Sequence, residues 1–196
     1  MNFELAKEFV QNRLETELPS NLYYHGLHHT KDVCNAAEHL AKLEKVQGED
    51  LVMLRTAAWY HDVGFTVQYA KNEPIAANIA RENLPSFGYS VEQIDIICGC
   101  ILATEVPQQP KNHLEKILCD ADLDYLGRED FYMIAQSLRR EWIENGIFTS
   151  SLRRWYELQY KFMSGHRYHT VSAMALRQQT KLLHITELKE LLNLME

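Results

Sequence analysis

Hydrophobic residues recur every three or four positions along almost the whole chain. At the N-terminus, Phe3, Ala6, Val10 and Leu14 follow this spacing, which is the spacing that lets an α-helix bury one face. Alternation of Val, Ile and Thr, the mark of a strand, is almost absent. The periodic segments, most of them separated by glycine or proline, predict helices at about 3–18, 29–46, 50–62, 73–84, 90–104, 111–126, 129–145, 149–164, 168–184 and 186–195.

The chain is predicted to be one all-α domain over residues 1–196, because no repeat and no change of composition marks a linker. A hydrophobic content of 46% is enough for a core and excludes intrinsic disorder. The net charge of −7 argues against binding to duplex nucleic acid. No apolar run approaches the roughly 18 residues of a membrane span, and the first residues do not resemble a secretory signal. We therefore expect a cytoplasmic protein that does not associate with membranes.

Histidine and aspartate occupy positions on helix faces where apolar residues belong. Leu54 and Ala58 belong to the apolar stripe of the predicted third helix, and His61 and Asp62 fall on its two sides. In the predicted second helix, His29 is in register with the apolar stripe. A carboxylate on a buried face is costly unless a charge or a metal ion compensates it.

The predicted helix 111–126 adds a third group of this kind. Asp122 borders its apolar stripe, Asp124 lies at the opposite margin, and Asp120 is expected further out, towards solvent. Three helices thus each bring a metal-competent group to a core-facing position. Two imidazoles and two carboxylates suit a borderline or hard divalent ion. The alternative, histidines and aspartates that are simply hydrogen-bonded in the core, stays open on periodicity alone.

Several common sites are excluded by the absence of their motifs. The sequence contains no HExxH and no ExxH, which argues against a zincin and against a ferritin-like di-iron bundle. It has no phosphate-binding GxxxxGK[ST] loop and no GxGxxG fingerprint.

Three segments together resemble the HD superfamily of metal-dependent phosphohydrolases: YHGLHHTKDV (24–33), AAWYHDVGF (57–65) and LCDADLDYLG (118–127). The family pattern is a His followed by Thr or Ser at a helix start, then the adjacent His-Asp pair, then a later Asp. The matching positions, which the resemblance implies are ligands of a divalent ion (Mn, Mg, Fe, Ni, Co or Zn), are His29, His61, Asp62 and Asp122. The match covers about 20–130 and implies an HD-type helical bundle, extended by C-terminal helices over 131–196.

The activity implied by this resemblance is hydrolysis of a phosphate ester by a metal-activated water. The substrate would be a small phosphorylated molecule, with nucleotides and phosphodiesters among the candidates. Asp62 would bind the metal and orient the water, and Glu73 is the candidate general base from its place in the motif. The alternative for Glu73 is a carboxylate that stabilises a helix N-terminus. Lys31 and Arg128 are the candidate phosphate-binding residues, and the alternative for each is a solvated surface cation.

One departure from the family concerns a second metal. Some HD enzymes carry two further histidines between the His-Asp pair and the final Asp, whereas this interval contains only His113. We expect one tightly held ion and a second that binds weakly or with substrate. The resemblance leaves open an HD domain that keeps its metal but serves as a nucleotide-sensing or partner-binding module. It also leaves open a homo-oligomer.

Overall fold

A computed structural model of the chain describes residues 1–195. Its α-helices are α1 (Phe3–Glu17), α2 (Leu27–Leu43), α3 (Gly48–Tyr60), α4 (Asn72–Asn83), α5 (Val91–Ala103), α6 (His113–Asp122), α7 (Phe131–Glu144), α8 (Leu152–Gly165) and α9 (Val171–Leu194). Short 3₁₀ helices cover Val63–Thr66, Leu84–Phe87 and Asp124–Gly127. No β-strand occurs in residues 1–195, so the all-α prediction is confirmed.

Among the helices that end earlier than predicted, two end at the site of interest. The third helix was expected to reach residue 62, but α3 ends at Tyr60 and the backbone leaves the helical region at Asp62 (φ −107°, ψ 4°). The turn that follows packs tightly, because a Cβ added to Gly64 would lie 2.1 Å from the carbonyl oxygen of Asn72. The sixth helix was expected to reach residue 126, but α6 ends at Asp122.

The two helices predicted at 168–184 and 186–195 are in fact one 24-residue helix, α9. No glycine or proline separates them, so nothing in the backbone chemistry breaks the helix there. His184 and Leu188, one turn apart on the two sides of the expected break, are both buried. They share a single face, which is the packing reason for the continuity.

The buried side chains form two hydrophobic clusters. The larger one is built mainly by α1 to α6 and includes Val10, Leu40, Leu54, Ile97 and Ile117. The second is built mainly by α7, α8, α9 and the 3₁₀ helix at Asp124–Gly127, and includes Leu126, Phe131, Trp155, Met163 and Leu188. The C-terminal helices therefore have a core of their own, and the single-domain interpretation stays a prediction.

The segment that leads into α9 covers the side of α6 that was expected to face solvent. Asp120 is fully buried and accepts hydrogen bonds from the backbone N–H of His169 (2.8 Å) and from the N–H and hydroxyl of Thr170 (2.8 and 2.7 Å). Asp124 is also buried, and its two oxygens accept hydrogen bonds from the Arg177 guanidinium at 2.7 and 2.9 Å. The expected solvent-facing position of Asp120 is therefore wrong.

As far as the structure describes the chain, none of its helices has both the length and the apolar character needed to cross a membrane.

Candidate metal centre

The four predicted metal ligands come from three separate segments and meet at one place. His29 lies in the first turn of α2, His61 and Asp62 follow α3, and Asp122 is the last residue of α6. His29 Nε2 lies 3.3 Å from Asp122 Oδ1 and 3.5 Å from Asp62 Oδ2. His61 Nε2 lies 3.2 Å from Asp62 Oδ2 and 3.6 Å from Asp122 Oδ1. The candidate ligand atoms of His29, His61 and Asp122 all lie within 4.8 Å of one another.

The orientation of His61 suits a metal ligand. Its Nδ1 lies 2.7 Å from the carbonyl oxygen of Ala58. A carbonyl only accepts, so Nδ1 carries a proton, and Nε2, once deprotonated, can offer its lone pair to a cation held between it and the carboxylates. Hydrogen bonding of the remote nitrogen in this way is typical of histidines that bind metals.

Two atoms of this cluster are buried without a hydrogen-bond partner: Nε2 of His61 and Oδ2 of Asp62. Their separation of 3.2 Å is short, but the geometry is not that of a hydrogen bond. Buried polar atoms are rarely left unpaired, because each costs on the order of 1–3 kcal/mol. A divalent cation held between the four side chains would satisfy both atoms, so the residues present fit a metal ion.

The electrostatics of the cluster are those of two carboxylates facing two imidazoles. Burial lowers the pKa of His61, but the negative charges of Asp62 and Asp122 outweigh burial, and the net effect raises this pKa well above its ordinary value. Burial raises the pKa of both aspartates. The positive charge of the histidines outweighs burial at Asp62, and the hydrogen bond from His29 together with the charges of both histidines outweighs it at Asp122, so both pKa values are lowered. The two carboxylates of Asp62 and Asp122 therefore favour the binding of a proton or a cation between the four side chains.

A cavity of about 430 Å³ lies beside the cluster, with His29 and Asp122 in its wall. Its other lining residues are aromatic, apolar and charged: Tyr24, His28, Asp32, Val33, Ala121, Tyr125, Arg128, Asp130, Met133, Ile134 and Ser137. Cavities of roughly 300–1,000 Å³ accommodate drug-sized ligands. The cavity therefore has room for a small ligand next to the candidate metal centre.

The two predicted phosphate-binding residues have different surroundings. Arg128 lines the cavity, and its guanidinium donates hydrogen bonds to Asp32 (2.6 Å) and to both oxygens of Asp130 (3.0 and 2.5 Å). Lys31 is exposed and does not line this cavity. Arg128, and not Lys31, therefore lines the same cavity as His29.

Glu73, the predicted general base, lies in the first turn of α4 and is partly buried. Burial raises the pKa of its carboxyl group, and the negative charges of Asp62 and Asp122 contribute to the increase. In the chain as described up to residue 195, no hydrogen bond or ion pair joins Glu73 to the four candidate ligands. The charges of the candidate ligands therefore influence the pKa of Glu73, although Glu73 is not hydrogen-bonded to any of them.

The sequence interpretation missed one buried charged residue near the site, Glu141 of α7. It is fully buried and accepts hydrogen bonds from the backbone N–H of Tyr24 (2.7 Å) and His25 (3.0 Å), from the Tyr69 hydroxyl (2.7 Å) and from His25 Nδ1. A signal was available, since Glu141 continues the apolar stripe of Ile134 and Leu138. It was overlooked because α7 lies outside the segments that resemble the HD family.

No protein-family model matches the sequence, and no curated protein is significantly similar to it. Several solved structures, however, have the same fold. A predicted HD superfamily hydrolase from an uncultured Thermotogales bacterium is 22% identical, with 82% of this chain and 86% of that chain covered and a TM-score of 0.55.

Two further structures match over nearly their full length. Bacillus subtilis YpgQ, solved in complex with ADP, is 16% identical with 97% of this chain and 95% of that chain covered and a TM-score of 0.67. A Lactobacillus plantarum protein is 20% identical, with 97% of this chain and 98% of that chain covered and a TM-score of 0.65. The predicted HD-type helical bundle, with its C-terminal helices, is therefore confirmed as the fold.

Proposed function

We propose that this chain is a metal-dependent phosphohydrolase that cleaves a phosphate ester of a small molecule. One divalent ion, whose identity among Mn, Mg, Fe, Ni, Co and Zn is open, would be held by His29, His61, Asp62 and Asp122. The observation that carries the proposal is the pair of buried, unpartnered atoms, His61 Nε2 and Asp62 Oδ2, beside a cavity of about 430 Å³. A predicted HD superfamily hydrolase among the proteins of the same fold supports it.

Different residues of the chain would bind the metal, accept the proton and bind the phosphate group. A divalent ion supplies a Lewis acid and lowers the pKa of water when it is bound. The carboxylate of Asp62 would hold the ion and orient the attacking water, and an oxygen of Glu73 would take the proton of that water. A general base works best when its pKa lies near the working pH, and burial raises that of Glu73 in this direction. Arg128, in the cavity wall, would bind the phosphate group.

A nucleotide is the substrate class that we favour. Tyr24 and Tyr125 line the cavity together with Met133 and Ile134, and these side chains would offer an aromatic and apolar surface for a base. B. subtilis YpgQ has the same fold and was solved in complex with ADP, which supports this choice. The phosphate end of such a ligand would lie towards Arg128 and the candidate metal centre.

The proposal is tested by metal analysis of protein purified without chelators, followed by a phosphate-release screen over nucleotides, phosphomonoesters and phosphodiesters. We expect about one ion per chain and turnover of at least one substrate, which EDTA abolishes and added Mn²⁺ restores. Absence of turnover with every substrate in metal-loaded protein would contradict the enzymatic proposal.

A nucleotide-sensing module is the second candidate. The observation in its favour is that, within residues 1–195, Glu73, the candidate general base, makes no hydrogen bond or ion pair with the four candidate ligands and is affected only by the charges of Asp62 and Asp122. A sensor needs ligand binding but no general base. It would be supported if nucleotides raised the melting temperature of the metal-loaded protein while no phosphate was released.

Replacing Arg128 by alanine should raise KM for the substrate about tenfold, because one charge-assisted interaction with phosphate is lost. The value of kcat should change less, since Arg128 touches none of the candidate metal ligands. The matched control is Arg140→Ala, which removes an exposed arginine that also pairs with a carboxylate, Glu144. Steady-state kinetics check both variants, and equal KM values for Arg128→Ala and wild type would contradict the role.

Metal affinity and the stability of the metal-free protein should respond to pH in opposite directions. His61 must lose its proton to bind a cation, so Mn²⁺ affinity should increase as the pH rises from about 6.5 towards the raised pKa of His61. The raised pKa of His61 contributes stability that is present below its ordinary value and lost as pH rises through the raised value. Metal-free protein should therefore become less stable over the same interval. Calorimetric titration and thermal unfolding at several pH values measure the two trends, and parallel trends would contradict this assignment.

A further inference from the structure

The carboxylate of Glu141 joins two segments that are distant in the sequence. Through the backbone N–H groups of Tyr24 and His25, it holds the turn that precedes α2. Through the Tyr69 hydroxyl, it holds the segment between the 3₁₀ helix at Val63–Thr66 and α4. His25 Nδ1 donates a further hydrogen bond to the same carboxylate. One side chain of α7 therefore fixes both segments to each other.

The turn before α2 contacts one candidate metal ligand directly, and both segments pack on Phe65, which is hydrogen-bonded to another. The ring of Tyr24 packs on the imidazole of His29, with 4.5 Å between the ring centroids. The ring of His25 stacks on Phe65, with 4.1 Å between the centroids and 25° between the planes. Phe65 follows Asp62 by three residues, and its backbone N–H donates to the Asp62 carbonyl at 3.1 Å. Glu141 is therefore connected to His29 through Tyr24. It is connected to Asp62 through His25 and Phe65.

Burial makes these contacts stiff. Glu141 has no exposed surface, and Tyr24 and Phe65 are 6% and 5% exposed. A carboxylate in such a place is stabilised only by the donors that surround it, so its donors cannot move away without leaving it unpaired. Hydrogen bonds around metal ligands set the orientation of those ligands in proteins, and Glu141 acts one contact further out, through Tyr24 and Phe65.

We propose that Glu141 is a positioning residue for the metal centre, which holds the turn before α2 and the segment after Asp62 in the arrangement that brings His29 and Asp62 together. This inference rests on the proposed metal binding. It assigns to α7, which lies outside the HD-like segments, a part in completing the site.

The test is Mn²⁺ binding, without substrate, to wild type and to Glu141→Gln. The amide keeps the shape of the side chain but replaces one acceptor oxygen with a donor, so at least one of the hydrogen bonds is lost. We expect the Kd for Mn²⁺ to increase about tenfold, the lower end of the effect of outer-shell substitutions. The absorption spectrum of bound Co²⁺ should change as well, because the ligand geometry changes.

The matched control is Glu187→Gln, which removes another glutamate that accepts from a tyrosine hydroxyl, that of Tyr132, away from the metal centre. Its Kd and Co²⁺ spectrum should equal those of wild type. The inference is overturned if folded Glu141→Gln has the wild-type Kd and spectrum. If that variant does not fold, Tyr69→Phe, which removes one hydroxyl only, takes its place, and a wild-type Kd together with a wild-type spectrum would overturn the inference. Failure of wild type to bind Mn²⁺ would instead overturn the proposed function.

Discussion

Asp62→Asn should lower phosphate release on the order of a hundredfold or more, equivalent to about 3 kcal/mol of activation free energy. Oδ2 of Asp62 is buried and lies 3.2 Å and 3.5 Å from the Nε2 atoms of His61 and His29. Asparagine keeps the shape of this side chain but removes the negative charge that would hold a cation among the imidazoles. Turnover is measured at saturating Mn²⁺, so that weaker metal binding is separated from loss of the chemical step.

The variant should remain folded, because Asp122 still supplies a negative charge to both histidines. Substrate binding should survive better than turnover, since Arg128 is untouched. Asp95→Asn, the same change at an exposed position of α5, is the control for activity and for thermal unfolding. An Asp62→Asn protein with wild-type turnover would remove Asp62 from the mechanism.

Among the three aspartates of the DADLD segment, only Asp122 should be needed for metal binding. Asp122→Asn should raise the Kd for Mn²⁺ on the order of a hundredfold, equivalent to about 2.7 kcal/mol. Its Oδ1 faces both imidazoles at 3.3 and 3.6 Å. Removing its charge takes away one of the two carboxylates that the site offers to a cation.

Asp120→Asn and Asp124→Asn provide matched controls two residues to either side. These carboxylates are buried as well, but they have other partners. Asp120 accepts a hydrogen bond from Thr170, in the segment that leads into α9, and Asp124 accepts one from Arg177 of α9. Their replacement should reduce the free energy of unfolding by about 1–3 kcal/mol and leave the Kd for Mn²⁺ near that of wild type. Calorimetric titration and urea unfolding separate the two effects. Equal loss of metal affinity in all three variants would contradict the assignment of Asp122.

The sequence determined the class of fold and the choice of candidate residues. Helical periodicity is a local property, since each residue reports on neighbours three and four positions away, and it predicted an all-α chain. The same periodicity marked His29, His61, Asp62 and Asp122 as polar groups on buried faces. Their identification as candidate metal ligands also needed the resemblance of their segments to the HD family.

Only the tertiary structure decided what lies against each polar side chain. Asp120 was expected towards solvent because a helical wheel describes one helix, whereas Thr170, 50 residues later, covers that side of α6. The Glu141 contacts, which span more than 70 positions to Tyr69 and more than 115 to Tyr24, escaped prediction for the same reason. Burial of a charge is set by packing between distant segments, and local periodicity carries no information about which segment arrives.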